Sequence, residues 1–152
     1  MASEIEIKIA ADNIEEVKAE MQKRVRVALE AMGIQAATLA RVELQNSPSR
    51  IDTGLLRNSI THALDGGSMA ISGYKADNPS KYTGKTPDSG SYSGNMPQED
   101  EGRNAVFIGS NVEYGIYVHE GTDRMAPNRY LKNAIENNIN ELAEIEQKYL
   151  SN

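Results

Sequence analysis

Residues 14–45, IEEVKAEMQKRVRVALEAMGIQAATLARVELQ, decide the fold of this chain. Apolar residues recur at steps of three or four from Ile14 to Val42, which is the spacing of one face of a helix. At 1.5 Å per residue, this helix would be roughly 50 Å long. Such a helix must either bend, for which Gly33 is the candidate, or project from a domain of this size and need a partner. Both arrangements remain open.

The segments on either side of this helix are predicted to begin and continue a sheet. Residues 4–9 alternate charged residues with isoleucine, which predicts a half-buried strand. Asp12 and Glu15 have the spacing of a capping box, so the helix is expected to start there. Residues 59–64 and 69–72 flank an Asp-Gly-Gly turn and predict a hairpin.

The carboxyl-terminal third completes the fold class. Residues 104–109 predict another strand, and apolar residues at steps of three or four over 128–150 predict a second amphipathic helix, with Pro127 suited to its start. The order of elements therefore favours an α+β fold, in which a long N-terminal helix and a C-terminal helix pack on an antiparallel sheet. We expect a single domain over residues 1–152.

Composition excludes several classes of protein. The net charge of −6 disfavours direct binding to nucleic acid, and the absence of cysteine excludes disulfides and thiolate metal sites. The sequence contains no apolar run of the roughly 18 residues that a transmembrane helix requires, so no membrane partner is expected. A hydrophobic fraction of 39% with one Phe and no Trp predicts an aliphatic core of modest size.

A polar segment at 74–103 interrupts the predicted sheet. It is rich in Gly, Ser, Pro and Asn, and it repeats the pattern Tyr, hydroxyl residue, Gly, two variable residues, Pro, beginning at Tyr82 and again at Tyr92. This composition predicts a mobile loop or hairpin insertion that orders against a partner, with Tyr82 and Tyr92 as candidate interface residues. A plain disordered insertion is the alternative.

Asp52-Thr53-Gly54 matches the signature of aspartic proteases, in which two such carboxylates share one proton. One copy per chain would require a dimer. Those proteases are nearly all strand, whereas this motif follows a long helix. The preferred interpretation is that Asp52 caps a turn by accepting hydrogen bonds from amides two or three residues ahead, while Gly54 relieves the backbone.

Residues 114–122, YGIYVHEGT, predict a short helix on which Tyr114, Tyr117 and Val118 share a packed face and which Gly121 ends. His119-Glu120 resembles the start of a zinc-protease motif, but position 123 is Asp where the second histidine would stand. No metal or cofactor is therefore expected.

His119 is interpreted as a packed or interface histidine, and Glu120 as a cap or an ion-pair partner of Arg124 or Arg129. Nothing in the sequence requires catalysis, so the chain is not expected to be an enzyme.

Five pieces taken together resemble the tailed-bacteriophage head-tail joining or tail-completion family. They are 52–60, the strand ending at Ile108-Gly109, 114–122, Ala-Pro-Asn-Arg-Tyr-Leu at 126–131, and the final helix. The resemblance covers 17–150, although 74–103 is longer than the family's connection at this point. The positions that carry the motif are Asp52, Thr53, Gly54, Tyr114, Glu120, Gly121, Thr122 and Pro127.

The resemblance implies a non-enzymatic virion protein of the neck, a tail terminator or tail-completion subunit made in the host bacterial cytoplasm. It would form a ring, expected to be a hexamer, between the head connector or stopper protein and the tail tube. DNA would be only a passing cargo, which an acidic lumen would repel. The alternatives are a prophage-derived adaptor or binding module and the dimeric aspartic protease using Asp52.

Overall fold

The computed structural model describes residues 2–47, 51–64, 69–92 and 104–151, with side chains from residue 14 onward. The elements in chain order are α1 (Ala2–Gln45), α2 (Leu55–Ser59), β1 (Thr61–Leu64), β2 (Gly73–Tyr74), β3 (Gly90–Ser91), β4 (Val106–Gly109), α3 (Gly115–Glu120), α4 (Tyr130–Glu136) and α5 (Ile139–Leu150).

Helix α1 is the central element, and it corrects the predicted N-terminal strand. Residues 4–9 belong to this 44-residue helix, so neither the strand nor the helix start at Asp12 is right. A strand needs a hydrogen-bonded neighbour, and none of the described strands pairs with this segment. Its Glu and Lys residues are good helix formers, and extending an existing helix avoids the cost of nucleation.

The carboxyl-terminal half of α1 is buried through small residues. Gly33 lies so close to the sheet that an added Cβ would stand 2.7 Å from both His62 Cδ2 and Val106 Cγ2. Further along, the buried residues are Ala36, Ala37, Ala40 and Leu44. The predicted stripe is therefore right at Ala36 but wrong at its end, since Val42 is 42% exposed. Because Gly33 has no side chain, strands β1 and β4 can pack directly against the helix backbone at this position.

The predicted hairpin is replaced by a longer-range pairing. Strand β1 pairs antiparallel with β4, with Thr61 opposite Gly109 and Leu64 opposite Val106. Residues 69–72 form no strand, although the Ala70 N–H donates to the His62 carbonyl at 2.9 Å. The turn at 65–67 lies outside the described residues. The strand predicted at 104–109 is confirmed as β4.

The first part of the polar segment is tied to the rest of the molecule. Strands β2 and β3 pair antiparallel, and the Tyr92 hydroxyl donates to the Ser59 carbonyl. The Tyr74 hydroxyl donates to the Asn111 side chain. Residues 93–103 lie outside the described residues, so the predicted mobility of the segment stays a prediction.

The predicted C-terminal helix is divided into α4 and α5 by Asn137 and Asn138. Asparagine favours caps over helix interiors, and the Asn138 side chain donates to the Ala134 carbonyl at 3.0 Å while its own carbonyl accepts from Leu142 N. Both helices pack along α1.

A core containing Leu44, Leu56, Ile60, Val118 and Tyr130 joins α1 to α2, α3 and α4. The α+β fold class is thus confirmed, with a long N-terminal helix, a small antiparallel sheet and C-terminal helices. In the part of the chain that the structure describes, no helix combines the length and the apolar character needed to cross a membrane.

Candidate functional site

The Asp-Thr-Gly turn opens α2. Gly54 precedes the helix in the left-handed region, with φ 82°, and the Thr53 hydroxyl accepts from Leu55 N at 3.3 Å. The Asp52 carboxylate instead accepts from Lys81 N at 2.7 Å, a residue far along the chain. Asp52 is therefore an acceptor, as predicted, but Thr53 is the residue that accepts from an amide two positions ahead.

Hydrogen bonding also sets the charge state of Asp52. The Ser80 side chain, followed by the Lys81 amide, lowers the pKa of the Asp52 carboxyl group below its usual value. Asp52 is then ionised at neutral pH. In an aspartic protease one of two paired carboxyl groups must keep a proton. The surroundings of Asp52 within one chain do not favour that state.

A polar cluster fixes the segment around residue 77 onto α2. Asp77 forms an ion pair with Arg57, and its second oxygen accepts from Asn58 Nδ2 at 3.1 Å. Asn58 also donates to the Lys75 carbonyl at 2.9 Å, and Asp77 N donates to the Thr53 carbonyl at 2.8 Å. Because Arg57 and Asn58 follow the turn directly, the motif holds this segment in place.

Sequence reasoning missed Asp77. Its contact with Arg57 spans 20 positions, and no spacing rule connects a residue of a short helix to one in a distant loop.

A groove lies between this turn and the segment at 80–88. Its volume is about 520 Å³, and apolar side chains from Leu44, Ile51 and Tyr114 line it together with Asp52 and Lys85. The size falls in the range of ligand sites. The groove contains no histidine, and the described residues include no cluster of three or more His, Asp or Glu that could hold a metal.

The second motif, 114–122, packs against the first. Gly115 lies in a space where an added Cβ would be 3.1 Å from both Leu56 Cδ1 and the Tyr130 hydroxyl oxygen. That hydroxyl donates to the Gly115 carbonyl at 3.2 Å. Burial raises the pKa of Tyr130 to about 12, so it remains a neutral donor. Tyr130 thus packs in the corner where Leu56 of α2 approaches Gly115 of α3.

The predicted packed face of α3 is only partly right. Val118 is buried, whereas Tyr117 is 60% exposed and Tyr114 is 44% exposed. Ile116 is 64% exposed as well. The outer side of α3 is therefore an apolar surface rather than a core contact.

His119 and Glu120 interact with each other. His119 Nδ1 and Glu120 Oε1 are 2.7 Å apart, while His119 Nε2 accepts from Lys132 N at 3.3 Å. The hydrogen bond from His119 lowers the pKa of Glu120. The ring also packs edge-on to Tyr130 at 5.2 Å. Both ring nitrogens are engaged, so His119 is the predicted packed histidine.

Gly121 ends α3 at φ 82° and ψ 171°, a conformation that glycine adopts almost exclusively. An added Cβ would be 2.8 Å from Pro127 N. Thr122 pairs with Met125 in an antiparallel bridge, and Asn128 N donates to the Val118 carbonyl at 2.9 Å. Gly121 thus ends α3 as predicted, whereas α4 begins at Tyr130, two residues later than the helix start predicted beside Pro127.

The two tyrosines of the internal repeat have different environments. Tyr82 is 81% exposed, whereas Tyr92 packs on Tyr74 with ring centroids 5.4 Å apart. Tyr82 remains a candidate interface residue. Tyr92 anchors its segment within the chain.

Comparison with known proteins adds no relative from which a role can be transferred. No protein-family model, no curated protein and no solved structure matches this chain.

Proposed function

We propose that this chain is a structural subunit of the neck of a tailed bacteriophage, forming a ring that joins the tail tube to the head connector. The observation that carries the proposal is the packing of its motifs into one corner. Leu56 from 52–60, Gly115 from 114–122 and Tyr130 from 126–131 meet within this corner. Motifs whose apolar residues pack on one another support a scaffold role.

The exposed apolar residues support assembly with neighbours. Outside the core, large apolar side chains lie open on α1, on α3 and at the start of α5, including Ile116, Tyr117 and Ile139. A ring subunit needs two different faces that complement each other, because head-to-tail contacts close a circle. Several separate apolar areas on one chain suit that requirement better than one isolated pocket does.

Electron microscopy of the purified protein, with and without purified tail tubes, tests the proposal. We expect hexameric rings bound at one end of the tubes. Free subunits can stay monomeric until a tube nucleates the ring, so the sample with tubes is decisive. A protein that associates with neither tail tubes nor the head connector would contradict the proposal.

A further inference from the structure

The amino-terminal part of α1 extends beyond the rest of the described molecule. Helix α5 runs antiparallel to α1. Near the start of α5, Glu141 Oε1 accepts a hydrogen bond from Gln35 Nε2 at 2.8 Å, whereas near its end Tyr149 lines a groove with Arg26 and Val27, which come earlier in α1. α5 ends at Leu150, near that level of α1. Every side chain from residue 14 to residue 23, here called the tip, is exposed.

One side of the tip is apolar. Ile14, Val17 and Met21, here called the ridge, are spaced by three and four residues and are 53%, 52% and 44% exposed. The ridge is therefore an apolar surface that no described part of the same chain covers, and such surfaces mark contact sites for partners.

The same chain carries an apolar groove of about 380 Å³, which begins at Arg26, roughly one and a half turns of α1 beyond the last ridge residue, Met21. It is lined by Arg26, Val27, Glu30, Ala31, Ile34, Leu64 and Tyr149. Val27, Ile34 and Tyr149 are 46%, 53% and 37% exposed, so the groove is open to solvent. Glu30 is engaged by His62 Nε2 at 2.7 Å.

A chain cannot cover its own groove with its own ridge. Met21 and Ile34 belong to one continuous helix and are thirteen positions apart, which is about 20 Å along the axis. Bringing them together would break α1. A second copy of the chain has no such restriction.

Charge also favours a second copy. Around the ridge, Glu15, Glu16 and Glu20 outnumber Lys18, for a net charge of −2 over 14–21. Around the groove, Lys23, Arg24 and Arg26 outnumber Glu30, for a net charge of +2 over 22–30. Two pairs form within the chain, Lys18 with Glu15 at 3.8 Å and Arg24 with Glu20 at 3.2 Å. With these pairs set aside, the ridge side keeps a net charge of −1 and the groove side a net charge of +1, which attract a ridge to a groove and oppose contact between two ridges or two grooves.

We propose that the ridge of one subunit packs into the groove of the next copy of this chain. The contact uses two different surfaces, so a growing chain of subunits always has one free ridge at one end and one free groove at the other, and the last contact closes the ring. This inference rests on the proposed ring function, for which it names the contact between subunits.

Engineered cysteines test this contact directly, because the chain has none of its own. A chain carrying both Met21→Cys and Ile34→Cys cannot close an internal disulfide, since about 20 Å far exceeds the Cα separation of about 4.4–6.8 Å that a disulfide requires. Under mild oxidation we expect a ladder of dimers and higher oligomers on a non-reducing gel. Each single variant should stay monomeric, and an equal mixture of the two should give only mixed dimers.

Two charge variants of the double-cysteine chain provide the matched comparison. Val17→Asp places a charge on the ridge and should abolish the ladder. Ala19→Asp places the same charge on the opposite, exposed side of the tip and should leave the ladder unchanged. Circular dichroism of both variants would verify that α1 stays helical.

Three results would overturn the inference. Dimers formed by Met21→Cys alone would indicate contact between two ridges. The other two are a double-cysteine chain that does not crosslink at its highest soluble concentration, with or without tail tubes, and a ladder that both charge variants reduce equally. Rings that form on tail tubes without the crosslink would contradict the ridge-to-groove contact but support the proposed function. A ladder of crosslinked oligomers that does not associate with tail tubes would support the contact but contradict the proposed function.

Discussion

At the level of single residues, Gly121 and Gly84 form a natural pair for comparison. Both have positive φ, 82° and 70°, but an added Cβ at Gly84 meets nothing within 4 Å, whereas at Gly121 it would crowd Pro127. We expect Gly84→Ala to lower the free energy of unfolding by about 1 kcal/mol and Gly121→Ala by about 2–3 kcal/mol. Urea denaturation of both variants measures the difference. Equal losses would mean that the corner between α3 and α4 can relax around a side chain.

Asp52 gives a pH-dependent prediction. Because its pKa is lowered in the folded protein, its stabilising contribution is present above the unfolded pKa and disappears as the pH falls through the folded pKa. We expect Asp52→Asn to be less stable than the parent chain at about pH 7 and to match it well below about pH 4, where both side chains are neutral. Denaturant titrations at the two pH values test this.

The same variant separates the scaffold from the protease. An aspartic protease loses its turnover when this carboxylate is replaced, whereas a neck subunit keeps its association with tail tubes. Peptidase activity in the parent chain that vanishes in Asp52→Asn would favour the enzyme.

At the level of elements, the approach of α1 to the sheet depends on Gly33. In an exposed helix, replacing glycine with alanine stabilises by about 1 kcal/mol. Here the new Cβ would lie 2.7 Å from a His62 ring that Glu30 holds and 2.7 Å from Val106. We therefore expect the opposite sign, a loss of about 1–3 kcal/mol from overpacking. Thermal unfolding measures it, with exposed Gln22→Ala as the control for helix propensity.

Sequence patterns predicted those elements whose signals are local. The helix at 115–120 followed from its spacing and its glycine stop, and β4 followed from its run of β-branched and aromatic residues. The prediction of a strand at 4–9 was wrong because period-two alternation is only a preference. As an extension of the adjoining helix, this segment forms its backbone hydrogen bonds without a second strand. The hairpin failed because β1 found its partner more than forty residues away.

At the level of the whole molecule, the tip contributes nothing to the described core. The side chains from 14 to 23 are all exposed, so a chain beginning at Lys23 should keep its thermal midpoint within about 3 °C while losing self-association. Leu44→Ala is the contrasting variant, with an expected loss of about 2–5 kcal/mol because Leu44 is 1% exposed. Calorimetry and sedimentation measure both. A large fall in the midpoint of the shortened chain would show that the tip stabilises the monomer.

The sequence by itself determined the long helix, the fold class, the turn at 52–54 and the glycine-ended helix before Pro127, because caps, turns and amphipathic spacing are properties of neighbouring residues. Only the tertiary structure decided which side of α1 is buried, that Asp77 meets Arg57, and that Tyr130 joins α2 to α3. Those contacts connect residues that no local period relates. The tertiary structure also separated the buried half of α1 from its exposed tip, since burial depends on where α5 ends and not on how apolar a stripe is.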